Sequence, residues 1–364
     1  MISKFPIKNI KKGVTTFLVI TLATLAGLFY IDETGKSLQA FSDFSKFYAA
    51  IILLFVLSDY LLGGLRIYLF SREINKEVSF RDCFNANLGN IFLGTVTPMQ
   101  TGGGLAQLYI LNKAGLQVSE TIAVSIFNFL GTILFIYCSS LYVVFFGENI
   151  FGEMFTTAFQ YSIGVFTFVL AVLVWSFFNP KVLTVFFQIV TKLVSLFVPK
   201  KAQTLKSGIN KFKSELDSYK ELINYYVFEK PLVIFGGIII SAILFTQKYF
   251  IAYLILQGFE IEIDFGSVFC VQVLINLIAY FSPTPGASGI SEISSTTLTA
   301  LIVPQTSILV AFTILWRFFL TYLGAFFGGL ILFKIMLSSN FDDTENSFED
   351  LDSEGEIKVS ESVT

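Results

Sequence analysis

What most constrains this chain is a set of apolar runs, each long enough to cross a bilayer as a helix. A crossing needs ~20 residues of predominantly apolar helix. Runs of that order occupy residues 14–31, 47–69, 121–146, 155–178, 232–259 and 307–336. A soluble core cannot absorb them. Of the 364 residues, 54% are hydrophobic and 14% charged, with mean hydropathy +0.73; soluble domains carry roughly a quarter charged residues. The reading is an all-α polytopic membrane protein.

Several kinds of chemistry are disfavoured at once. There is no histidine, which removes the commonest general base and metal ligand. Cys83, Cys138 and Cys270 are too scattered for a metal spacing or a disulfide framework. No metal or cofactor is expected. Gly102-Gly103-Gly104 invites comparison with a phosphate loop, but no strand precedes it and no Gly-Lys-Ser/Thr follows. A net charge of −3 gives no sign of nucleic-acid binding. The 43 phenylalanines read as lipid-facing filler.

Charge orders the topology. Lys and Arg favour short cytoplasmic loops. The segment 179–231 carries nine lysines against four acids and is placed in the cytoplasm, with part of it, 182–198, alternating like a helix lying on the membrane surface. Arg72, Lys76 and Arg81 place the loop after the second run there too. The stretches 147–153 and 260–264 are acidic without a base and read as outside. The first run follows Lys4, Lys8, Lys11 and Lys12 but is closed by Asp32-Glu33-Thr34-Gly35 rather than a small-residue cleavage site, so it is expected to be a retained span. Residues 1–337 form the transmembrane unit. Residues 338–364 are acidic, poor in apolar residues and expected to be disordered.

Two further apolar stretches, 87–111 and 265–301, are broken by Pro and Gly. The loop assignments require each to return to the side it entered from. Both are therefore expected to be re-entrant hairpins dipping from opposite faces, although 87–111 is also long enough to cross once. They share a motif: Thr97-Pro98-Met99-Gln100-Thr101-Gly102 and Thr284-Pro285-Gly286-Ala287-Ser288-Gly289. With a full span before and after each, the chain reads as two inverted repeats, about 47–146 and 232–336. Broken segments at matching positions of inverted repeats point to a transporter-type site at the repeat interface. Irregular backbone at membrane depth needs surrounding protein or a water-filled cavity, and half-helix starts with free N–H groups attract anions. The plainer alternative is that Gly and Pro only kink packed helices.

Charged residues within the runs are costly and functional candidates by default. Asp59 and Arg66 lie seven residues, about two turns, apart on one face. Lys248 sits mid-run, Arg317 lies in the last run and Glu292 follows the second motif. One reading pairs Asp59 with Arg66 and Glu292 with Arg317, leaving Lys248 without an obvious partner. The sharper reading is a net positive interior suited to an anionic headgroup.

At these residues the chain resembles the flippase-like family, also called the lysylphosphatidylglycerol synthase transmembrane family. The likeness runs through Leu65-Arg66, Ser79-Phe80-Arg81, Thr97-Pro98, Gly102-Gly103, Gln107, Tyr109, Leu111 and Gly115. It resumes at Pro283-Thr284-Pro285-Gly286-Ala287-Ser288-Gly289, Glu292, Arg317, Tyr322 and Gly324. It departs at Asn128, where many members carry a basic residue. The resemblance implies phospholipid handling in the inner membrane of a bacterial or archaeal-type cell. In the best-known members this region is fused to a cytoplasmic aminoacyl-transferase domain, which is not expected in this sequence. The expected function is translocation of an anionic or aminoacylated phospholipid or lipid-linked headgroup. The expected substrate-binding residues are Arg66, Thr97, Pro98, Thr101, Gly102, Gly103, Gln107, Lys248, Thr284, Pro285, Gly286, Ser288, Gly289, Glu292 and Arg317. Two alternatives stand beside it: the membrane part of a phosphatidylglycerol lysyltransferase system, and a non-transporting partner that recruits proteins through the tail or the 179–231 loop.

The topology predicts a labelling pattern with six spans, two hairpins and both termini cytoplasmic. In a cysteine-free background, cysteines introduced at Glu148 and Glu262 should react with an impermeant reagent from outside, and one at Lys206 should not. Labelling of the Glu148 position only from the cytoplasm would reject the first hairpin.

Overall fold

The computed structural model describes residues 7–31, 36–98, 100–146, 163–177, 216–337 and the isolated positions 179, 182, 185 and 188. The acidic 147–153 stretch, most of the lysine-rich loop and the 338–364 tail lie outside the described residues.

Within those bounds the chain is helical. Helix α1 spans Ile7–Ile31, α2 Lys36–Asp43, α3 Lys46–Ile74, α4 Phe80–Thr95, α5 Gly103–Lys113 and α6 Val118–Phe146. Helix α7 is Ile163–Phe177. Helix α8 (Leu216–Asn224) runs through a π-turn, Tyr225–Glu229, to α9 (Pro231–Gly258), followed by α10 (Phe265–Phe281) and α11 (Ile290–Thr299). Helix α12 (Thr306–Arg317) continues through a second π-turn, Phe318–Tyr322. Among the described residues, five helices are long and apolar enough to cross a membrane: Ile10–Tyr30, Lys46–Ile74, Val118–Phe146, Pro231–Gly258 and Ile308–Leu337. The expected run at 155–178 is described only over Ile163–Phe177.

The two broken stretches fold as helix–turn–helix hairpins, α4–α5 and α10–α11. Local chemistry starts each one. Ser79 opens α4 with a reciprocal cap: its hydroxyl accepts from the Asp82 N–H, and the Asp82 carboxylate accepts from the Ser79 N–H, both at 3.2 Å. Asp264 opens α10 by accepting from the Ser267 N–H at 2.9 Å and the Ser267 hydroxyl at 2.6 Å. Those bonds hold the Asp264 carboxyl below its ordinary range. The long arms have 16 and 17 residues, about 24–26 Å of helix. The short arms have 11 and 10 residues, about 15–17 Å. No arm alone matches the ~30 Å hydrocarbon core.

Helices α3, α6 and α9 pack together as the frame on which the hairpins rest. Small residues set the approach, as is usual where apolar burial gives helices little preference for each other over lipid. A Cβ on Gly64 of α3 would lie 2.9 Å from the Cα of Phe84 in α4. At one end of the frame Phe70 stacks on Phe127 with ring centroids 5.4 Å apart, and the Tyr226 hydroxyl donates to the Phe70 carbonyl at 2.5 Å.

Gly64→Ala should therefore push α3 and α4 apart. Overpacking of this kind costs typically ~1–3 kcal/mol, to be read as a lowered unfolding temperature of the purified protein in detergent. Gly27→Ala, where a Cβ meets nothing within 4 Å, should leave that temperature unchanged or slightly raised.

Candidate functional site

The two Thr-Pro motifs build the same turn. In each, the residue at the fourth position, Gln100 or Ala287, takes a left-handed backbone (φ 55° and 54°). In each, that residue's N–H donates to the motif's threonine carbonyl, at 3.3 Å for Thr97 and 3.1 Å for Thr284. The next N–H, of Thr101 or Ser288, donates to the proline carbonyl at 3.2 or 3.0 Å, and the same residue's hydroxyl donates to that carbonyl as well, at 3.0 and 2.8 Å. The shared pattern has become a shared hydrogen-bonded turn with a strained position that neither sequence fills with glycine; the closing glycines differ, Gly102 at φ −76° and Gly289 at φ 83°.

The two turns meet. Pro98 and Pro285 form an antiparallel bridge, the one isolated β-bridge among the described residues. Beside it Gly286 takes φ 57°, and a Cβ there would lie 2.6 Å from the carbonyl oxygen of Thr95. Only glycine allows the hairpins this approach. Helix α1 lies against both tips: Gly13 sits against the Val96 carbonyl, Phe17 against Gly286, and Ile20 and Thr24 against Gly289. Phe17 also meets Tyr322 edge-on, with centroids 6.0 Å apart. Nothing in the sequence pattern pointed to α1 as a cover for the tips.

Several donors at the tips are already used, which differs from the expectation of free N–H groups there. Gly102 N–H donates to the Thr97 hydroxyl oxygen at 2.8 Å, and that hydroxyl donates to the Leu93 carbonyl at 2.6 Å. Thr284 donates to the Ser288 carbonyl at 2.8 Å. Gly289 N–H donates to Glu292 at 2.7 Å. The physical reason is that hydroxyls and a carboxylate three to five residues away reach these groups before any ligand does. Gly103 opens α5 against Asn90, and the Asn90 amide donates to Gln107 at 3.2 Å, tying α4 to α5. The Gln107 Nε2 is buried without a partner.

Glu292 and Arg317 pair as the sequence suggested. Arg317 Nε donates to Glu292 Oε1 at 2.9 Å, with side-chain exposures of 4% and 0%. Its other nitrogens donate to the Gly286 carbonyl at 3.0 Å and the Thr321 hydroxyl at 3.2 Å. The Tyr322 hydroxyl reaches Glu292 at 3.4 Å. The π-turn begins just after Arg317 and ends at Tyr322; single π-turns are frequent at functional sites. Thus Arg317 is tied at once to α11 and to the tip of the second hairpin.

The other pairing is corrected. Lys248 Nζ lies 3.6 Å from Asp59 Oδ2, so Lys248 has a partner and Arg66 does not take Asp59. Helix α9 packs along α3 and brings Lys248 to Asp59, while Arg66, two turns on, turns into the crevice between α6 and α9. There its Nη1 donates to the hydroxyl oxygens of Thr132 at 3.2 Å and Ser241 at 3.1 Å. Its Nε is buried without a partner. Asn128, one turn before Thr132 on α6 and 5% exposed, has both side-chain polar atoms unpartnered. Tyr280, at the end of α10, lies within electrostatic reach of Arg66. The predicted residues therefore gather in two clusters: the tips with Glu292 and Arg317, and Arg66 with Lys248 on the α3–α9 seam. Asn128, Thr132, Ser241 and Tyr280 were not among the expected site residues; their signal was polarity inside long apolar runs. No group of three or more Cys, Asp or Glu among the described residues could hold a metal ion.

The profile of the family described as "Lysylphosphatidylglycerol synthase TM region" matches residues 14–328. A "UPF0104 membrane protein" of Archaeoglobus fulgidus is 23% identical over 331 residues, covering 89% of this chain and 97% of that protein. The match spans both hairpins and the frame between them.

Removing one partner of a buried ion pair leaves an uncompensated charge, at a cost of about 3–5 kcal/mol. Arg317→Met alone should lower thermal stability by that order. The double variant Glu292→Leu/Arg317→Met should recover most of it, because no buried charge remains. Equal losses for the single and double variants would show that the pair is not coupled.

Proposed function

Because the chain belongs to the lysylphosphatidylglycerol synthase TM-region family, we propose that this multi-pass membrane protein translocates a phospholipid or lipid-linked headgroup between leaflets. The two hairpins are re-entrant and act as opposed gates of two inverted repeats, with both termini cytoplasmic. The observation that carries the reading is the bridge between Pro98 and Pro285. A residue paired antiparallel with its own counterpart lies on a local two-fold axis, and an isologous contact is what such an axis produces. α3 and α9, the spans before each hairpin, also pack directly on one another. Two broken helices meeting tip to tip at a repeat interface are the arrangement expected of an alternating-access transporter.

The closed turns fit one state of such a cycle. With the tips together, the hydroxyls of Thr97, Thr101, Thr284 and Ser288 bond within their own hairpins. Parting the tips would let Pro98, Gly102 and Gly103 on one side, and Pro285, Gly286 and Gly289 on the other, line a polar path beside Gln107. The anionic part of the headgroup would be met by Arg66, with Lys248 and Arg317 available only when their carboxylate partners release them. Glu292 would tune that release.

Locking the tips tests this reading. Antiparallel neighbours bring Cα atoms to ~4.5–5.5 Å, within the range a disulfide spans. Pro98→Cys/Pro285→Cys in a background lacking Cys83, Cys138 and Cys270 should form a bond under oxidation. In proteoliposomes, leaflet exchange of a headgroup-labelled phospholipid should stop on oxidation and return with reductant. Exchange unaffected by a formed cross-link would make the tips scaffolding and reject the gate.

A further inference from the structure

We propose that the crevice around Arg66 is an anion site that takes the phosphate of a lipid headgroup, with an acyl chain of the same lipid in the adjoining groove on α3. The proposal rests on the translocator reading only in taking the anion to be lipid-borne.

The first ground is an imbalance of charge. Among the three cations considered, Lys248 and Arg317 each face a carboxylate, and Arg66 faces two hydroxyl oxygens. Those hydroxyls accept from the guanidinium but bring no countercharge. Each already donates to its own helix, Thr132 to the Asn128 carbonyl at 3.1 Å and Ser241 to the Gly237 carbonyl at 2.8 Å. The Asp59 carboxylate, taken by Lys248, acts on Arg66 only at a distance. A guanidinium at membrane depth hydrogen-bonded only to neutral oxygens is expensive, and an anion would supply the missing contact partner through charge-assisted bonds.

The second ground is independent of that charge. Asn128 is buried with both its amide nitrogen and its carbonyl oxygen unpartnered, one turn from Thr132 on the same side of α6. Buried polar atoms are almost always satisfied, so an orphaned amide one turn from the Thr132 that accepts from Arg66, together with the orphaned Nε of Arg66 itself, marks a place for something polar. The donors available are several: the Nε edge of Arg66, the Asn128 amide and the Tyr280 hydroxyl. That number suits the oxygens of a phosphate better than the two of a carboxylate.

The third ground is the neighbouring surface. An open groove of ≈ 480 Å³ runs along α3, lined by Leu54, Leu57, Ser58, Leu61, Leu62 and Leu65, with Phe80 at its edge. It reaches the seam that holds Arg66, because Ser58, which lines it, donates to Gln247 of α9 at 3.1 Å. Apart from Ser58 its lining is apolar, and it faces where acyl chains would lie. A phosphate at Arg66 and a chain in the groove are two ends of one molecule. Tyr280 lies five residues before Pro285, so the occupied site would touch the second hairpin near its tip.

The test is equilibrium binding to the full chain in a neutral detergent, read as a shift in unfolding temperature across a ligand titration. Three probes are compared: dioctanoyl phosphatidylglycerol, dioctanoylglycerol with the same chains and no phosphate, and inorganic phosphate. Phosphatidylglycerol should stabilise the wild type at lower concentration than either other probe. Arg66→Met should weaken its binding at least about tenfold, which corresponds to ~1.4 kcal/mol, while Arg66→Lys should retain part of it. If Arg66→Met proves unstable, Asn128→Leu and Tyr280→Phe, which leave the charge in place, should each weaken phosphatidylglycerol binding. Wild-type affinity in Arg66→Met, or in both of the other variants, would overturn the site. Equal stabilisation by inorganic phosphate would overturn the lipid as its occupant. Because binding in detergent needs no transport, Arg66-dependent binding by a chain that moves no lipid would reject the translocator reading alone.

Discussion

Everything in this molecule depends on satisfying backbone polar groups where water is scarce. Unpaired N–H and C=O groups cost several kcal/mol each in hydrocarbon, so irregular backbone survives there only if protein satisfies it. The hairpin turns meet that requirement with their own side chains. Thr97 and Thr284 close the turns, Thr101 and Ser288 double the bonds to the proline carbonyls, and Glu292 caps the Gly289 N–H. Proline suits the same logic, since it brings no N–H to satisfy. What remains is settled between the hairpins, where Pro98 and Pro285 bridge and Gly286 lies against Thr95. The motif is thus first a solution to a solvation problem, and the two solutions touch where Pro98 meets Pro285.

Charge follows the same rule with a different result. Two of the three cations are neutralised locally, one in a fully enclosed pair and one in a pair that Lys248 enters with a third of its side chain exposed. Ion pairs of this kind hold geometry more than they add stability. Arg317 illustrates it, since one guanidinium spans α11 through Glu292, the tip through Gly286 and its own π-turn through Thr321. Arg66 is the exception: its hydrogen bonds go to neutral hydroxyls, and the Asp59 carboxylate, taken by Lys248, acts on it only at a distance.

The sequence made the broad architecture legible because long apolar runs and a repeated Thr-Pro motif are local properties. The membrane fold, the two helical hairpins and the Glu292–Arg317 pair could all be read that way. Two things could not. Asp59 was paired with Arg66 on its own helix and Lys248 was left without a partner, and only the packing of α9 along α3 gives Asp59 to Lys248. The state of the tip donors was misjudged because Pro and Gly advertise free backbone groups, whereas the nearby hydroxyls that consume them look like ordinary polar residues. The cover formed by α1 is likewise invisible in a run that reads as a plain span; its long apolar face is mostly exposed, and its contacts are concentrated where Gly13, Phe17 and Thr24 meet the tips.

These contacts make the tips a junction rather than a simple pair of turns. Gly286 accepts from Arg317 through its carbonyl, and it faces Thr95 of the other hairpin and Phe17 of α1 so closely that a Cβ there would crowd both. Any separation of the hairpins would therefore disturb the Arg317 network and, through Glu292, the cap that shapes the second turn. A change in the Glu292–Arg317 pair would act on the bridge through the same atoms in reverse. Such reciprocity is required of any coupling between two sites. Here it has a physical carrier in one glycine that is a hydrogen-bond acceptor on one side and a steric contact on the other. A larger residue at that position would break the contact before it changed the charge, so the glycine ties the closed tips to the buried pair.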